Sequence, residues 1–443
     1  MHQPQRRRRF SLKIDSDRGA THRTLGLGST TLLIVGNIIG SAIFVLPSSL
    51  APFGWNALSA WGVTLAGALC LASIYADLAT HAPDRGTHAT LRETLGPNAA
   101  FVGSFGYLVS IWAANAAIAV AGTSYFLRLL PAASTSPSTP ILVALSAVGA
   151  LTLANWRGWT QSVQGISTLI KVIPFLLVIA LAVSMLASDA QAAVAPMADT
   201  PISASATLGC VAITLFAMQG LESAALPRGR IRDAVRTVPR ATMLGTLLAG
   251  LLTLLATVSV ALMMPTDAIV QSATPISDFI ERALGHDIGT WVTLAGVISC
   301  FGCLNGWLYL GTELPASMGA TRDLPASLSK RDHRGVATNA LWLCSAVTSI
   351  LLLMALSRTA VAAFEFAALI ATATALVFYG FCLAAFFRLL NEGRITPTAS
   401  RICRLLGAAL FTLFALASAG SESILYGIGF IAMGWIWRRF QRA

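Results

Sequence analysis

Long apolar segments alternate with short polar ones along most of this 443-residue chain. Between Leu25 and Trp437 the apolar segments recur at lengths of about 20 residues, which lets a helix cross a hydrocarbon layer of roughly 30 Å. This pattern predicts an all-α polytopic membrane protein, since an outer-membrane barrel would show strands of about ten residues with alternating polarity. We predict twelve transmembrane helices at 27–50, 55–78, 99–130, 139–155, 163–187, 205–226, 239–265, 286–318, 337–356, 359–388, 402–419 and 421–438.

Composition agrees with this class, because 55% of the residues are hydrophobic and only 11% are charged, against about 25% charged in soluble domains. The net charge of +11 could indicate nucleic-acid binding or membrane topology. Of the 30 Lys and Arg residues, 26 precede the first span or lie in even-numbered loops and the tail, whereas Arg128, Arg282 and Arg358 lie in odd-numbered loops. The positive-inside rule therefore predicts a cell inner (cytoplasmic) membrane protein with both termini in the cytoplasm, the lipid bilayer as a partner and no nucleic acid.

Domain organisation follows the same pattern. A basic, polar N-terminal segment at 1–24 precedes a single transporter domain at 25–440. There is no P-loop and no Ser/His/Asp or metal-ligand constellation, so we predict that the protein is not an enzyme and needs no cofactor. The pair Cys300 and Cys303 lies inside an apolar run without a second pair or clustered His, which favours a packing role over a metal site.

Polar and glycine residues interrupt two apolar runs at mid-membrane. The first run holds Gly-Asn-Ile-Ile-Gly-Ser at 36–41, and the sixth holds Gly220 beside Glu222. Either these are small residues for close helix packing, or the helices are broken there and expose backbone groups to a substrate. A broken helix offers N–H groups to a carboxylate and carbonyls to an ammonium, the two groups that an α-amino acid carries.

The two interruptions lie five spans apart, which is the spacing that a five-plus-five inverted repeat with broken helices 1 and 6 predicts. Repeat one covers about 25–187 and repeat two about 205–388, and two extra helices follow at about 402–438.

Three stretches, 36–41, 220–224 and 238–242, resemble the amino acid–polyamine–organocation (APC) superfamily over about 25–440. The fit is closest to its basic amino acid/polyamine antiporters of the arginine/agmatine type. The resemblance implies a secondary active transporter that exchanges a basic amino acid for its amine or another amino acid by alternating access, and a possible homodimer. A proton-coupled permease for neutral amino acids is an alternative, suggested by apolar Ile111 and Ala371. A non-transporting receptor or structural membrane protein is another.

The resemblance also implies a substrate site. The family's pattern assigns the substrate carboxylate to the first interruption, the amino group to backbone carbonyls, the lid to an aromatic at 216, and the substrate side chain to the third and eighth spans. The matching residues here are Asn37, Ile38, Gly40, Ser41, Ala42, Asn115, Phe216, Gln219 and Trp307. An interhelical hydrogen bond is the alternative role for Asn115, and core packing is the alternative for the two aromatic residues.

Four further residues match mechanistic positions. Tyr107 and Tyr379 match tyrosines of the outer and inner gates, with interfacial anchoring as the alternative. Glu222 and Lys171 are ionisable residues inside apolar runs and are therefore candidates for proton coupling. The alternative for Glu222 is a hydrogen-bonded strut in the sixth span. For Lys171 it is snorkelling to the membrane surface, whereas in the family a lysine there takes the place of a sodium ion.

Overall fold

The structure of the protein is a computed structural model. It describes residues 26–40, 42–81, 87–131, 138–158, 160–188, 194–195, 197–222, 233–355 and 357–442. The N-terminal segment 1–24 and Ser41, both of which figure in the sequence predictions, lie outside the described residues.

The described ranges contain helices and no β-strand, which confirms the all-α class. The α-helices are α1 (Leu27–Ile38), α2 (Ala42–Leu50), α3 (Trp55–His81), α4 (Thr87–Leu95), α5 (Pro97–Leu129), α6 (Thr139–Trp156), α7 (Thr160–Ser188), α8 (Ala204–Phe216), α9 (Ala234–Met263), α10 (Thr266–Val270), α11 (Pro275–Leu284), α12 (His286–Ala320), α13 (Thr338–Met354), α14 (Ala360–Asn391), α15 (Ala399–Ser418) and α16 (Ser421–Arg442).

A helix occurs at each of the twelve predicted positions. Within the described residues, eight helices are long and apolar enough to cross a membrane. The first predicted span is a bent pair, with 49° between its two helical parts, and makes a ninth if it is counted as one span. The protein is thus a multi-pass membrane protein, and twelve spans and the inverted repeat stay predictions.

Three short helices, α4, α10 and α11, occupy stretches that the hydropathy pattern predicts as loops. They are too short or too polar to cross a bilayer, so an apolar-run criterion does not detect them. The sixth span also differs from its predicted bounds of 205–226, because its helix ends at Phe216. A turn follows, and within it Gly220 has a φ of 103°, which no right-handed helix accommodates.

Two helices, α5 and α14, form the centre of the molecule. Most residues of both are buried, and both are apolar or small on all sides, as expected of helices enclosed by other helices. Fully buried alanines such as Ala113 and Ala371 let neighbouring backbones approach closely. Because Tyr107 and Asn115 lie on α5 and Tyr379 lies on α14, these site candidates sit on the most enclosed helices.

Loops that the charge pattern assigns to one side of the membrane lie together in the structure. Arg394, after α14, pairs with Glu93 of α4 at 2.9 Å. Arg334, between α12 and α13, donates to the carbonyl of Trp156 at the end of α6 at 3.2 Å. These contacts join the tenth loop to the second and the eighth loop to the fourth, in agreement with the predicted topology.

The odd-numbered loops meet on the opposite face. Ser48, near the end of α2, donates to the carbonyl of Ser272 at 2.7 Å. Arg358, before α14, pairs with Glu422 at the start of α16 at 2.7 Å. These contacts agree with the predicted topology, in which the odd-numbered loops share one side of the membrane.

Candidate functional site

The first interruption follows Ile38, the last residue of α1. The amide of Gly40 donates to the carbonyl of Ile38 at 2.7 Å, a tight turn that ends the helical pattern. Ala42 opens α2, and its side chain is not among the described ones. A β-carbon on Gly40 would lie 3.3 Å from the sulfur of Cys303, so α12 packs directly against this turn.

The second interruption follows Phe216, the last residue of α8. The amide of Gln219 donates to the carbonyl of Phe216 at 3.1 Å, and the chain turns instead of continuing as an α-helix. The carbonyls of Ile38 and Phe216, which the resemblance assigns to the substrate amino group, therefore each accept one backbone hydrogen bond already. Each carbonyl has a second lone pair for a further donor.

The two interruptions are in contact. A β-carbon on Gly220 would lie 2.7 Å from the carbonyl oxygen of Asn37 and 3.2 Å from the backbone nitrogen of Ile38. Only glycine fits there without displacing the neighbouring main chain, and its positive φ is also a conformation that other residues rarely adopt. The main chains of the first and sixth predicted spans thus meet where both are irregular.

Glu222 receives three hydrogen bonds from three parts of the protein. The hydroxyl of Tyr107 donates to Oε1 at 2.7 Å, the hydroxyl of Tyr379 donates to Oε2 at 3.1 Å, and the amide of Gly220 donates to Oε2 at 3.1 Å. The carboxylate is buried, with 7% of Glu222 exposed. Whereas the resemblance assigns the two tyrosines to opposite gates, the structure places both hydroxyls on one carboxylate.

Aromatic side chains that sequence reasoning missed pack on the two tyrosines that bind this carboxylate. The ring of Phe378 stacks on Tyr107 with centroids 4.6 Å apart, and Tyr75 meets Tyr379 edge-on at 5.6 Å. Phe378 directly precedes Tyr379 on the same predicted helix, and this position in the sequence could have indicated that it lies near the site. The aromatic residues make the surroundings of Glu222 apolar, so its hydrogen bonds are shielded from water.

Lys171 lies inside the protein, with 3% of the residue exposed. Its ammonium nitrogen is 3.5 Å from the carbonyl oxygen of Gly36, within the last turn of α1. Helix α7, which carries Lys171, therefore contributes a positive charge beside the first interruption. A side chain that snorkelled to the membrane surface would be exposed at its charged end.

Asn115 on α5 and Gln219 in the second interruption carry buried carboxamides. Asn115 donates to the sulfur of Cys344 at 3.6 Å, and Gln219 donates to the hydroxyl of Thr372 at 3.4 Å. Within the described part of the chain, their side-chain oxygens have no hydrogen-bond donor. Each oxygen is thus an acceptor that is not satisfied by the protein.

The two aromatic site candidates differ in burial. Phe216 is buried and meets Phe364 of α14 edge-on, with centroids 5.7 Å apart. Trp307 is half-buried on α12 and packs against the apolar core. Phe216, Gln219 and Glu222 lie on the segment that meets the first interruption through Gly220, whereas Asn115 lies on α5 and Trp307 on α12.

The site combines irregular backbone with a few buried polar and ionisable side chains. The described residues contain no group of three His, Cys, Asp or Glu side chains that could hold a metal ion. What they offer is irregular backbone, one hydrogen-bonded carboxylate, one ammonium and unsatisfied amide oxygens. This arrangement can recognise a small molecule that carries both charged and hydrogen-bonding groups.

The sequence matches a known protein family and is similar to characterised transporters. A family model described as amino acid permease matches residues 25–420. The cadaverine/lysine antiporter of Escherichia coli (strain K12) is 28% identical over 405 residues, which cover 90% of both chains. The putrescine transporter PotE of the same organism is 26% identical over 432 residues, covering 94% of this chain and 95% of PotE.

Proposed function

Because the chain belongs to the amino acid permease family, we propose that it exchanges a basic amino acid for its amine or for another amino acid. The exchange proceeds by alternating access around the contact between Gly220 and Asn37. This contact carries the proposal, since two broken helices that meet inside a membrane protein have a use in substrate binding and none in simple packing. An exchanger agrees with the cadaverine/lysine antiporter to which the chain is similar.

The chemistry around the interruptions supports a cationic substrate. An ammonium or guanidinium group only donates hydrogen bonds, and the side-chain oxygens of Asn115 and Gln219 are acceptors that lack a donor in the described protein. The ring of Phe216 can stabilise a cation through its face, although less strongly than Trp. The amide groups of the first interruption, from Gly40 through Ser41 to Ala42, bind the substrate carboxylate in this proposal.

A proton-coupled permease for neutral amino acids is the second candidate. It is favoured by Ile111 and Ala371, which are fully buried, apolar and situated on the two central helices. Such residues suit an apolar substrate side chain and offer nothing to a second cation.

We assign proton coupling to Glu222 and Lys171. Protonation of Glu222 weakens its acceptance of the hydroxyl hydrogen bonds from Tyr107 and Tyr379, and so releases the contact between α5, α14 and the sixth span. Lys171 is the second proton carrier in this proposal, and in its ammonium form beside the carbonyl of Gly36 it supplies the positive charge that a bound sodium ion supplies in other transporters, which makes exchange independent of sodium.

For topology we propose an inner-membrane protein with both termini in the cytoplasm. The 26 Lys and Arg residues of the even-numbered loops and termini then face the cytoplasm, and three face the opposite side. We also propose that the chain works as a homodimer, by analogy with the family.

Transport in proteoliposomes tests the function directly. Vesicles are loaded with lysine, arginine, ornithine, cadaverine or alanine, or are left empty, and uptake of radiolabelled lysine is followed in sodium-free buffer. The exchanger predicts uptake that is several-fold faster when a basic amino acid or its amine is inside. Absence of lysine uptake under every loading condition, together with uptake of radiolabelled alanine driven by an imposed pH gradient, would instead establish the neutral permease.

A further inference from the structure

Outside the site, a buried carboxylate joins three elements on the face of the even-numbered loops. Asp323 follows α12 and is 0% exposed. Its carboxylate accepts from Arg92 of α4 at 2.5 Å, from Arg438 of α16 at 2.7 Å and from His88 of α4 at 3.1 Å. We call these four residues the Asp323 cluster.

Burial by itself would raise the pKa of the Asp323 carboxyl. The hydrogen bond from His88 and the charges of Arg438 and Arg92 outweigh burial and hold this pKa well below its usual range. Asp323 therefore stays ionised at every pH at which a cell works. A permanently charged, fully buried carboxylate can fix the position of whatever donates to it.

One arm of the cluster reaches the central helix through His88. The Nε2 atom of His88 faces Asp323, and its Nδ1 atom lies 2.7 Å from the hydroxyl oxygen of Ser104 on α5. Since the carboxylate only accepts, Nε2 carries a proton, and the ring orientation set by Asp323 determines where the bond to Ser104 is made.

The second arm reaches the start of α5 through Arg438. The guanidinium donates to the carbonyl of Pro97 at 3.0 Å and to the side-chain oxygen of Asn98 at 3.1 Å. It also lies over the ring of Phe101, 4.6 Å from its centroid. Together the two arms hold the first two turns of α5 at four residues.

Tyr107 lies on α5 one helical turn after Ser104, and its hydroxyl binds Glu222 at 2.7 Å. We propose that Asp323 is a positioning residue that, through His88 and Ser104, sets the height and rotation of α5 at which Tyr107 reaches Glu222. The proposal rests on the proposed function in one respect, namely that the Tyr107–Glu222 bond takes part in the transport cycle.

A matched pair of serine variants on α5 tests the proposal. Ser104→Ala removes the hydroxyl that bonds His88, whereas Ser110→Ala removes a buried hydroxyl that has no protein partner in the described residues. We expect Ser104→Ala to lower exchange turnover about tenfold, which corresponds to a free-energy barrier raised by roughly 1.4 kcal/mol when one hydrogen bond is misplaced. We also expect it to shift the pH profile of transport in the same direction as Tyr107→Phe does. Substrate affinity at equilibrium and Ser110→Ala turnover are expected to stay at wild-type values.

A double-variant cycle separates positioning from general stability. If Asp323 acts through Tyr107, Asp323→Asn lowers turnover and shifts the pH profile in the wild-type background but adds little in the Tyr107→Phe background. Equal effects in both backgrounds, or a Ser104→Ala protein with wild-type turnover and pH profile, would overturn the proposal.

A readout without substrate distinguishes the failure of this proposal from the failure of the proposed function. Hydrogen exchange of residues 104–110 is expected to increase in Ser104→Ala and Asp323→Asn and to be unchanged in Ser110→Ala. If no substrate is exchanged by the wild type, this measurement still tests whether the Asp323 cluster fixes α5. Hydrogen exchange that is unchanged in all three variants would contradict the role of the Asp323 cluster in fixing α5.

Discussion

Gly220 lies against the main chain of Asn37 so closely that a β-carbon at position 220 would be 2.7 Å from the Asn37 carbonyl oxygen. The relationship joins two residues that are far apart in the sequence and makes glycine a requirement at this point. It is also the reason why the sixth predicted span cannot run as one helix, because the φ of 103° at Gly220 has no place in one.

Gly220→Ala is the direct test of this contact. We expect the strained backbone alone to lower the free energy of unfolding by about 1–3 kcal/mol. We also expect transport to fall at least about tenfold, because the new β-carbon pushes the two interruptions apart. Gly149→Ala on α6 is the control, since a β-carbon there has open space around it and a helical alanine is favourable. Thermal unfolding in detergent and exchange in proteoliposomes give the two measurements. Equal behaviour of the two variants would contradict the role of the contact.

Glu222→Gln keeps the shape of the side chain and an acceptor oxygen but cannot bind and release a proton. We expect turnover to fall about tenfold and the pH dependence of exchange to flatten. Glu313→Gln is a suitable control because Glu313 pairs with Arg331 at the end of α12, outside the site. Measurement of exchange across a range of pH decides the matter, and a Glu222→Gln protein with the full wild-type pH dependence would exclude proton coupling at this residue.

Lys171→Met replaces the buried ammonium with an apolar group of similar length. We expect exchange to be lost or reduced by more than about tenfold, because the carbonyl of Gly36 loses its charged partner beside the first interruption. Lys330→Met, at an exposed position, is the control and should transport normally. In the wild type, replacement of sodium by choline is expected to leave exchange unchanged, and abolition of exchange by that replacement would refute the role given to Lys171.

The face of the odd-numbered loops holds a pH-sensitive ion pair. The hydrogen bond from His286 and the charge of Arg128 lower the pKa of Glu281 below its usual value of 4.5. A carboxyl with a lowered pKa stabilises the fold above its unfolded-state pKa, and this contribution is lost as the pH falls below that value. We expect Glu281→Gln to lower stability at neutral pH by less than about 1 kcal/mol, because the pair is partly exposed.

Thermal unfolding of wild type and Glu281→Gln at neutral pH and at about pH 3 measures this effect. The difference between the two proteins is expected to shrink as the pH falls, because the contribution of the ionised carboxyl is lost as the pH falls through its folded-state pKa. A difference of the same size at both pH values would show that the charge of Glu281 is not its cause.

The sequence alone indicated both interruptions, because glycine and polar residues inside apolar runs are local signals. It also indicated that Glu222 and Lys171 are buried ionisable residues, since both lie in apolar runs, and their role in proton coupling stays a prediction. Each helix of the predicted topology was found for the same reason, namely that hydropathy is a property of short windows.

The convergence on Glu222 could not be predicted from the chain's own pattern. It depends on α5 and α14 packing side by side, with Tyr107 and Tyr379 separated by 272 residues but donating to one carboxylate. The helix α4 was missed because its polarity resembles that of a loop, and with it His88 and Arg92, two of the partners of Asp323. Such contacts follow from tertiary packing, which no local pattern encodes.

The clamp of Arg438 on Asn98 has a consequence for biosynthesis. The two residues are separated by 340 positions, so at 5–20 residues per second the central helix is made roughly 20–70 s before the guanidinium that holds its first turn. During that interval the first turn of α5 lacks the hydrogen bond from Arg438. The most enclosed helix of the finished protein is therefore among the last to be locked in place.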